Sequence, residues 1–382
     1  MRCRGGRHAA LALAVLLISQ ALAADTSLFQ LFPSTLPRDP LLAPDLEQSG
    51  SGLTFMKGTV LITESTGAEG IRLGPPFSGP ARLSVASPIN PTVPRVKTIG
   101  VGPAWKPVLT VLVMGTAVGY STGNSVKEES YEYDGFHFAG EGFFGRNTYT
   151  GGVDKLAHFV DYNLATVALA NTYGRIGYGS GQSGWIGFAT SVAAGLATEV
   201  GDGTTLFGFS WEDFLADALG AATALGLSRS GWNDTIGFRF GKVAQDPNPP
   251  CCVDNANIGR DYSGEIYTAD LKIVGLARRL RFDPGPARFL LLSATYGTNG
   301  YRHVAPELRQ RLVGLEIGIN FSEIFRGLGV PSEPLWGEGF YYFLDSFRIP
   351  YTAIGFRYDV NNHEWFGPTA GRTRFRVPAG SR

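Results

Sequence analysis

The stretch Val153-Asp154-Lys155-Leu156-Ala157-His158-Phe159-Val160-Asp161-Tyr162 decides the fold, because it sets acids and a histidine where a helix should carry its apolar stripe. Gly151-Gly152 just before it mark a turn, and Asp154 falls in the first helical turn. At roughly 100° per residue, Asp154, His158, Asp161 and Tyr162 share one side of that helix. A polar stripe therefore stands where a core stripe is expected.

Two neighbouring segments repeat the pattern. Glu199 and Asp202 end the apolar run from Trp185 to Val200, and Asp213 and Asp217 lie four apart after Ser210. Ser210 with Asp213 is the Ser-x-x-acid arrangement of a helix start, so Asp213 has a capping role open to it. Asp217 has none, and Ala218-Leu219-Gly220-Ala221-Ala222 after it are mostly small residues that let helices approach closely. Acids buried at such a contact must be paired, protonated or bound to a cation, because an isolated buried charge costs too much.

Working outward, helices are expected over Val153–Tyr173, Ser183–Glu199 and Ser210–Ser228, and a further one over the apolar run from Pro107 to Tyr120. Together they make a four-helix bundle whose Ala-, Gly- and Thr-rich interior favours close backbone packing. No segment offers twenty unbroken apolar residues, so the helices are either re-entrant and shielded by protein or ordinary buried helices. Between the first helix and the core, Tyr131, Tyr133, Phe136, Phe138, Phe143 and Phe144 suit either a bilayer interface or a long loop packed over the bundle.

From Asp234 the period changes to two. Ile236, Phe238 and Phe240 alternate with Gly237, Arg239 and Gly241; Tyr267, Ala269, Leu271 and Ile273 alternate with Thr268, Asp270 and Lys272. Val313, Leu315, Ile317, Ile319 and Phe321 oppose Gly314, Glu316, Gly318 and Asn320, and Ile354, Phe356 and Tyr358 oppose Gly355, Arg357 and Asp359. About six such strands give an antiparallel sheet with one apolar face. The alternation fits the outward and inward faces of a membrane barrel, and equally a soluble sheet with one wet face. The fold class is therefore α+β: a small-residue-rich helical bundle followed by an antiparallel β-sheet or barrel-like meander.

Glu141-Gly142-Phe143-Phe144-Gly145, Asp154-Lys155-Leu156-Ala157-His158-Phe159, Glu199-Val200-Gly201-Asp202-Gly203 and Gly208-Phe209-Ser210-Trp211-Glu212-Asp213 through Asp217-Ala218-Leu219-Gly220 resemble, in order and spacing, the YfiM-like family, domain-of-unknown-function family 2279. The resemblance covers roughly Gly135 to Gly226 and continues more weakly through Asp261-Tyr262-Ser263-Gly264. It implies an envelope protein of a Gram-negative bacterium, in the outer membrane or periplasm, and no established activity. A fainter similarity links the same helices to VanZ-like membrane proteins. Short family members are often lipoproteins, whereas here Cys3 precedes the apolar leader segment, so a lipid anchor is not expected.

The 382 residues divide into a signal peptide (1–23), an irregular Pro- and Gly-rich arm with short strands (24–105), the helical core (106–230) and an antiparallel β region (231–382). Arg2, Arg4 and Arg7, the apolar run from Ala9 to Ile18 and Ala21-Leu22-Ala23 are the three parts of a cleavable secretory signal. Removing those three arginines from 33 basic residues leaves 30 against 33 acidic ones, a net charge of −3 that excludes a nucleic-acid surface. The expected partner is outer-membrane or envelope lipid. Without Cys3 the remaining cysteines are the adjacent Cys251-Cys252, which are free, paired across a dimer or a vicinal disulfide, and make no disulfide framework.

Asp154, His158, Glu199, Asp202, Asp213 and Asp217 are the candidate site residues. If they converge, His158, Glu199, Asp202 and Asp217 are the candidate ligands of a divalent metal ion, which would support hydrolysis of lipid or cell-wall material. Acid–base chemistry with His158 as base is the metal-free version, with Ser210 as the one identifiable nucleophile. There is no Gly-x-Ser-x-Gly elbow and no His-Glu-x-x-His pair. The alternative, which leads, is a non-catalytic envelope protein whose polar residues hold its helices together: Lys155 pairing with an acid, Asp154 and Asp213 capping helices, His158 donating to a carboxylate.

Overall fold

A computed structural model describes residues 98–129, 135–242, 262–301, 306–333 and 335–369. The signal peptide, all but the end of the Pro-rich arm, Tyr131, Tyr133 and the Cys251-Cys252 pair lie outside the described residues. Four helices come first: α1 (Trp105–Glu129), α2 (Val153–Ile176), α3 (Ser180–Asp202) and α4 (Trp211–Ser230). Strands and short helices follow as β1 (Ile236–Lys242), β2 (Glu265–Lys272), α5 (Ile273–Leu280), β3 (Leu290–Asn299), β4 (Gln310–Ile319), α6 (Phe321–Gly327), α7 (Leu335–Ser346), β5 (Ala353–Asp359) and β6 (Glu364–Thr369).

Helix α2 is the hub of the bundle, with most of its residues buried. Its start requires glycine: Gly151 and Gly152 have φ of 68° and 87°, and a Cβ on Gly152 would stand 2.7 Å from the Phe143 carbonyl. Gly177 ends the helix in the left-handed conformation, its N–H returning to the carbonyls of Tyr173 and Gly174. The small residues work as expected. Gly187 of α3 lies against the backbone of Ala170, and Gly220 of α4 lies against the Phe159 carbonyl, so neither position has room for a methyl group.

The six strands form one antiparallel sheet in sequence order, β1-β2-β3-β4-β5-β6, which among the described residues is not closed into a barrel. Two strand expectations overrun: Ile273 begins α5, and Phe321 begins α6 behind the cap Asn320, whose side chain accepts from the Glu323 N–H. Phe159 of α2 meets Phe238 of β1 edge-on at 5.0 Å, and the hydroxyl of Tyr342 in α7 donates to the Leu164 carbonyl. Bundle and sheet thus belong to one compact unit.

The two ends of the sheet differ in what covers the apolar face. The apolar face packs on α2 at β1 and β2, but across β3 to β6 it is bare: Leu290, Leu292, Val313, Leu315, Ile317, Ile319, Ile354, Phe356 and Trp365 are all exposed, Leu315 at 72%. The polar face is the buried one. There Arg239 pairs with Asp270 at 2.5 and 3.1 Å, and Ser293 donates to the same carboxylate at 2.6 Å. Arg357 and Arg348 share Glu316 at 2.6 and 2.8 Å, Arg348 arriving from the end of α7. Paired in this way, the charges avoid the penalty that would expel any one of them alone.

Candidate functional site

The six expected residues are all buried, none more than 6% exposed. Helices α2, α3 and α4 bring five of them into two groups that share the imidazole: Asp154, His158 and Asp213 in one, His158, Glu199 and Asp217 in the other. In each group the ligand-capable atoms lie within 4.8 Å of one another. Asp202 is buried but belongs to neither, because it sits at the last residue of α3, where its carbonyl takes the Gly208 and Thr205 N–H groups. Of the expected ligand set His158, Glu199, Asp202 and Asp217, three share one group and Asp202 stands outside it.

The first group already holds a cation. Lys155 reaches Asp213 at 2.5 Å and Asp154 at 3.2 Å and also donates to Glu141, while the hydroxyl of Tyr262 donates to the other oxygen of Asp154. Burial works against the Lys155 charge, but the Asp154, Asp213 and Glu141 carboxylates outweigh it and raise its pKa. Glu141 is pushed up to about 8, first by burial and then by Asp154 and Asp213, with Lys155 pulling the other way. Sequence reasoning gave Lys155 a pairing role and missed Glu141 and Tyr262. Thirteen or more residues separate each of those two from its partner, and no local pattern marks the meeting.

His158 sits between the groups. Its Nδ1 lies 2.8 Å from Asp217 Oδ1 and its Nε2 4.0 Å from Asp213 Oδ1. Burial disfavours the imidazolium, yet Asp213 and Asp217 together raise its pKa well above the ordinary value. Asp217 itself is carried up to about 7 by burial, with His158 opposing. Burial also raises Glu199. Its Oε2 accepts from the Ser210 N–H at 3.0 Å, which ties the end of α3 to the start of α4.

Capping is divided differently from the expectation. Ser210 does cap α4, accepting from the Asp213 N–H at 3.2 Å, but the Asp213 carboxylate turns to Lys155 instead of back to the cap. The cap position of α2 is Gly152, with no side-chain bond, while the Asp154 N–H donates to Thr150 Oγ1 at 3.2 Å. Glu212, buried beside them, accepts from the Gly142 N–H at 3.0 Å and pins the loop that carries Glu141. Chemically, the cluster can store protons or hold a small cation between three helices.

Residues 140–228 match the model of a family described as predicted periplasmic lipoprotein (DUF2279), whose description carries an exported envelope location. The match stops short of Asp261–Gly264, and the VanZ-like similarity finds no counterpart in it. No curated protein and no solved structure matches the chain. The segment that supplies Glu141, Lys155, His158 and every acid of the cluster is the one that matches this family model.

Proposed function

We propose that this is a non-catalytic envelope protein associated with the outer membrane, its sheet resting an apolar face in lipid and its buried polar residues fixing bundle and sheet. One observation carries the reading: across β3 to β5 the exposed positions are apolar while most buried ones are polar, among them Ser293, Thr295, Glu316, Arg357 and Asp359, with Leu291, Leu312 and Ala353 as the apolar exceptions. Water rewards the opposite arrangement, and hydrocarbon rewards this one. All six tryptophans agree with it, being 39–74% exposed, and Phe136, Phe138, Phe143 and Phe144, near the start of the matched segment, are 38–74% exposed; aromatic rings of this kind collect at membrane interfaces. No described helix is long and apolar enough to cross a membrane, so the lipid contact falls to the sheet. A hydrolase would need His158 within reach of a substrate, and its burial with all its carboxylate partners favours the structural role.

The test is flotation of the purified full chain with phospholipid vesicles, some carrying brominated acyl chains, together with density separation of inner and outer membranes from producing Gram-negative cells. Co-flotation, quenching of tryptophan fluorescence by the bromolipid and recovery in the outer-membrane fraction are expected. A protein that stays at the bottom of the gradient, unquenched and free in the periplasm, would overturn the reading.

A further inference from the structure

We infer that His158, Glu199 and Asp217 form a binding site for one divalent transition-metal ion, joining α2, α3 and α4, a role beyond the lipid association proposed above. The three side chains come from three different helices, and one ligand atom of each lies within 4.8 Å of the other two. Bonds of about 2.0–2.2 Å to a first-row ion in tetrahedral geometry place ligand atoms roughly 3.5 Å apart, so the side chains would close in by about 1 Å through rotation.

A second observation separates this group from an ordinary acidic cluster. Glu199 uses one oxygen on the Ser210 N–H and Asp217 uses one on His158, but Glu199 Oε1 and Asp217 Oδ2 are buried without any hydrogen-bond partner. Leaving such an acceptor dry and unpaired costs on the order of 1–3 kcal/mol each. Asp213 Oδ1 is also without a hydrogen bond, but it lies 2.5 Å from the Lys155 ammonium, which stands 3.2 Å from Asp154 as well, so that half already has its cation. One half of the cluster therefore carries a built-in ammonium, and the other half has two acids, one imidazole and two idle oxygens. Gly195 of α3 makes the approach feasible: a Cβ there would stand 2.7 Å from Asp217 Oδ2.

The donor set names the class of ion. One imidazole and two carboxylates suit Zn²⁺, Mn²⁺, Fe²⁺ or Co²⁺, whereas Ca²⁺ asks for about 6–8 oxygens. Binding would expel the imidazole proton and neutralise both acids.

Co²⁺ is the probe, since its visible bands report the ligand set. The full chain, purified in detergent, is stripped with chelator, equilibrated with Co²⁺, desalted and assayed for metal per chain and for absorption. One tightly held Co²⁺ per chain is expected, with nitrogen and oxygen ligation and a raised melting temperature. Glu199→Gln and Asp217→Asn are expected to weaken it at least tenfold while keeping the helical circular dichroism, and Asp154→Asn to keep the metal. Wild-type protein that is folded and metal-free overturns the site and leaves the idle oxygens to protons. So does a thiolate charge-transfer band, which would put the ion on Cys251 and Cys252, or loss of the metal in Asp154→Asn alone. Should the two ligand variants fail to fold, X-ray absorption on the wild-type Co²⁺ protein decides, by the presence or absence of one imidazole in its ligand shell. Because the assay is done in detergent, its result is independent of whether the protein floats with vesicles.

Discussion

Leu315→Arg separates a lipid-facing sheet from a watery one. Leu315 lies near the centre of β4, 72% exposed, paired with Ala294 and Phe356 on its two sides and flanked on the same face by Val313 and Ile317. In water an arginine there touches nothing buried, and an exposed substitution of this kind changes stability by at most about 0.5 kcal/mol. In hydrocarbon it brings a charge into the bilayer at a cost of about 2–4 kcal/mol near the midplane. The nine exposed apolar side chains of β3 to β6 would together contribute on the order of 10 kcal/mol of transfer free energy if about half of each entered lipid. One arginine should therefore weaken vesicle partitioning by roughly thirty- to a thousandfold without unfolding the protein. The assay is the partition coefficient of labelled protein against vesicle concentration, with circular dichroism in detergent as the fold control. Equal partitioning of wild type and Leu315→Arg would refute a lipid contact at this face.

Three further outcomes follow from the buried charges and glycines. Lys155→Met strips the cation from Asp154, Asp213 and Glu141, and is expected to cost about 3–5 kcal/mol in denaturant titrations, more at pH 8 than at pH 5, where the acids can take up protons instead. Glu141→Gln tests the raised pKa: between about 4.5 and about 8 the unfolded chain has lost a proton that the native state keeps, so stability falls as pH rises through that window, and the glutamine variant should lose this part of the slope. Gly220→Ala drives a methyl group into the Phe159 carbonyl and should cost about 1–3 kcal/mol or more. Gly226→Ala, with open space around it in the same helix, should be neutral or stabilising by up to about 1 kcal/mol; similar losses in both would show that α2 and α4 do not meet at Gly220.

The helices were legible because their ends carry local chemistry: Gly151-Gly152 before α2, Ser210 before α4, Gly177 and Gly231 after their helices. α1 runs nine residues past Tyr120, where Ser121-Thr122-Gly123-Asn124 blur the apolar period. β3 opens on the unbroken run Leu290-Leu291-Leu292, which shows no alternation, and α7 hides behind Gly337, Gly339 and a cluster of aromatics. The alternation in β4 and β5 located the strands and said nothing of which face would be covered, since period two is the same read from either side. For the site, the one-sided spacing of Asp154 and His158 and of Asp213 and Asp217 foretold convergence. It could not tell that Lys155 would fill one half of the cluster, or that Asp202, one helical turn beyond Glu199 by count, would be carried off by the end of α3.

The two halves of the molecule solve one physical problem. In the sheet, Arg239, Arg348 and Arg357 are matched by Asp270 and Glu316; in the bundle, Lys155 and His158 are matched by Glu141, Asp154, Asp213, Asp217 and Glu199. If the outer face of the sheet rests in lipid, as proposed, the usual hydrophobic reason for these elements to come together is weakened, because lipid would accept that face as readily as a core would. What remains to specify the packing is close backbone contact at Gly187 and Gly220 and directional polar bonds inside. The sheet interior balances Arg239, Arg348 and Arg357 with Asp270, Glu316 and Asp359, whereas the bundle cluster has five acids for two bases. That surplus of negative charge, concentrated where Glu199 and Asp217 each keep an idle oxygen, is the imbalance a divalent ion or bound protons must settle. The polar interior thus acts first as the fastening of the fold, and the metal question falls where two unpaired carboxylate oxygens and an imidazole meet between three helices.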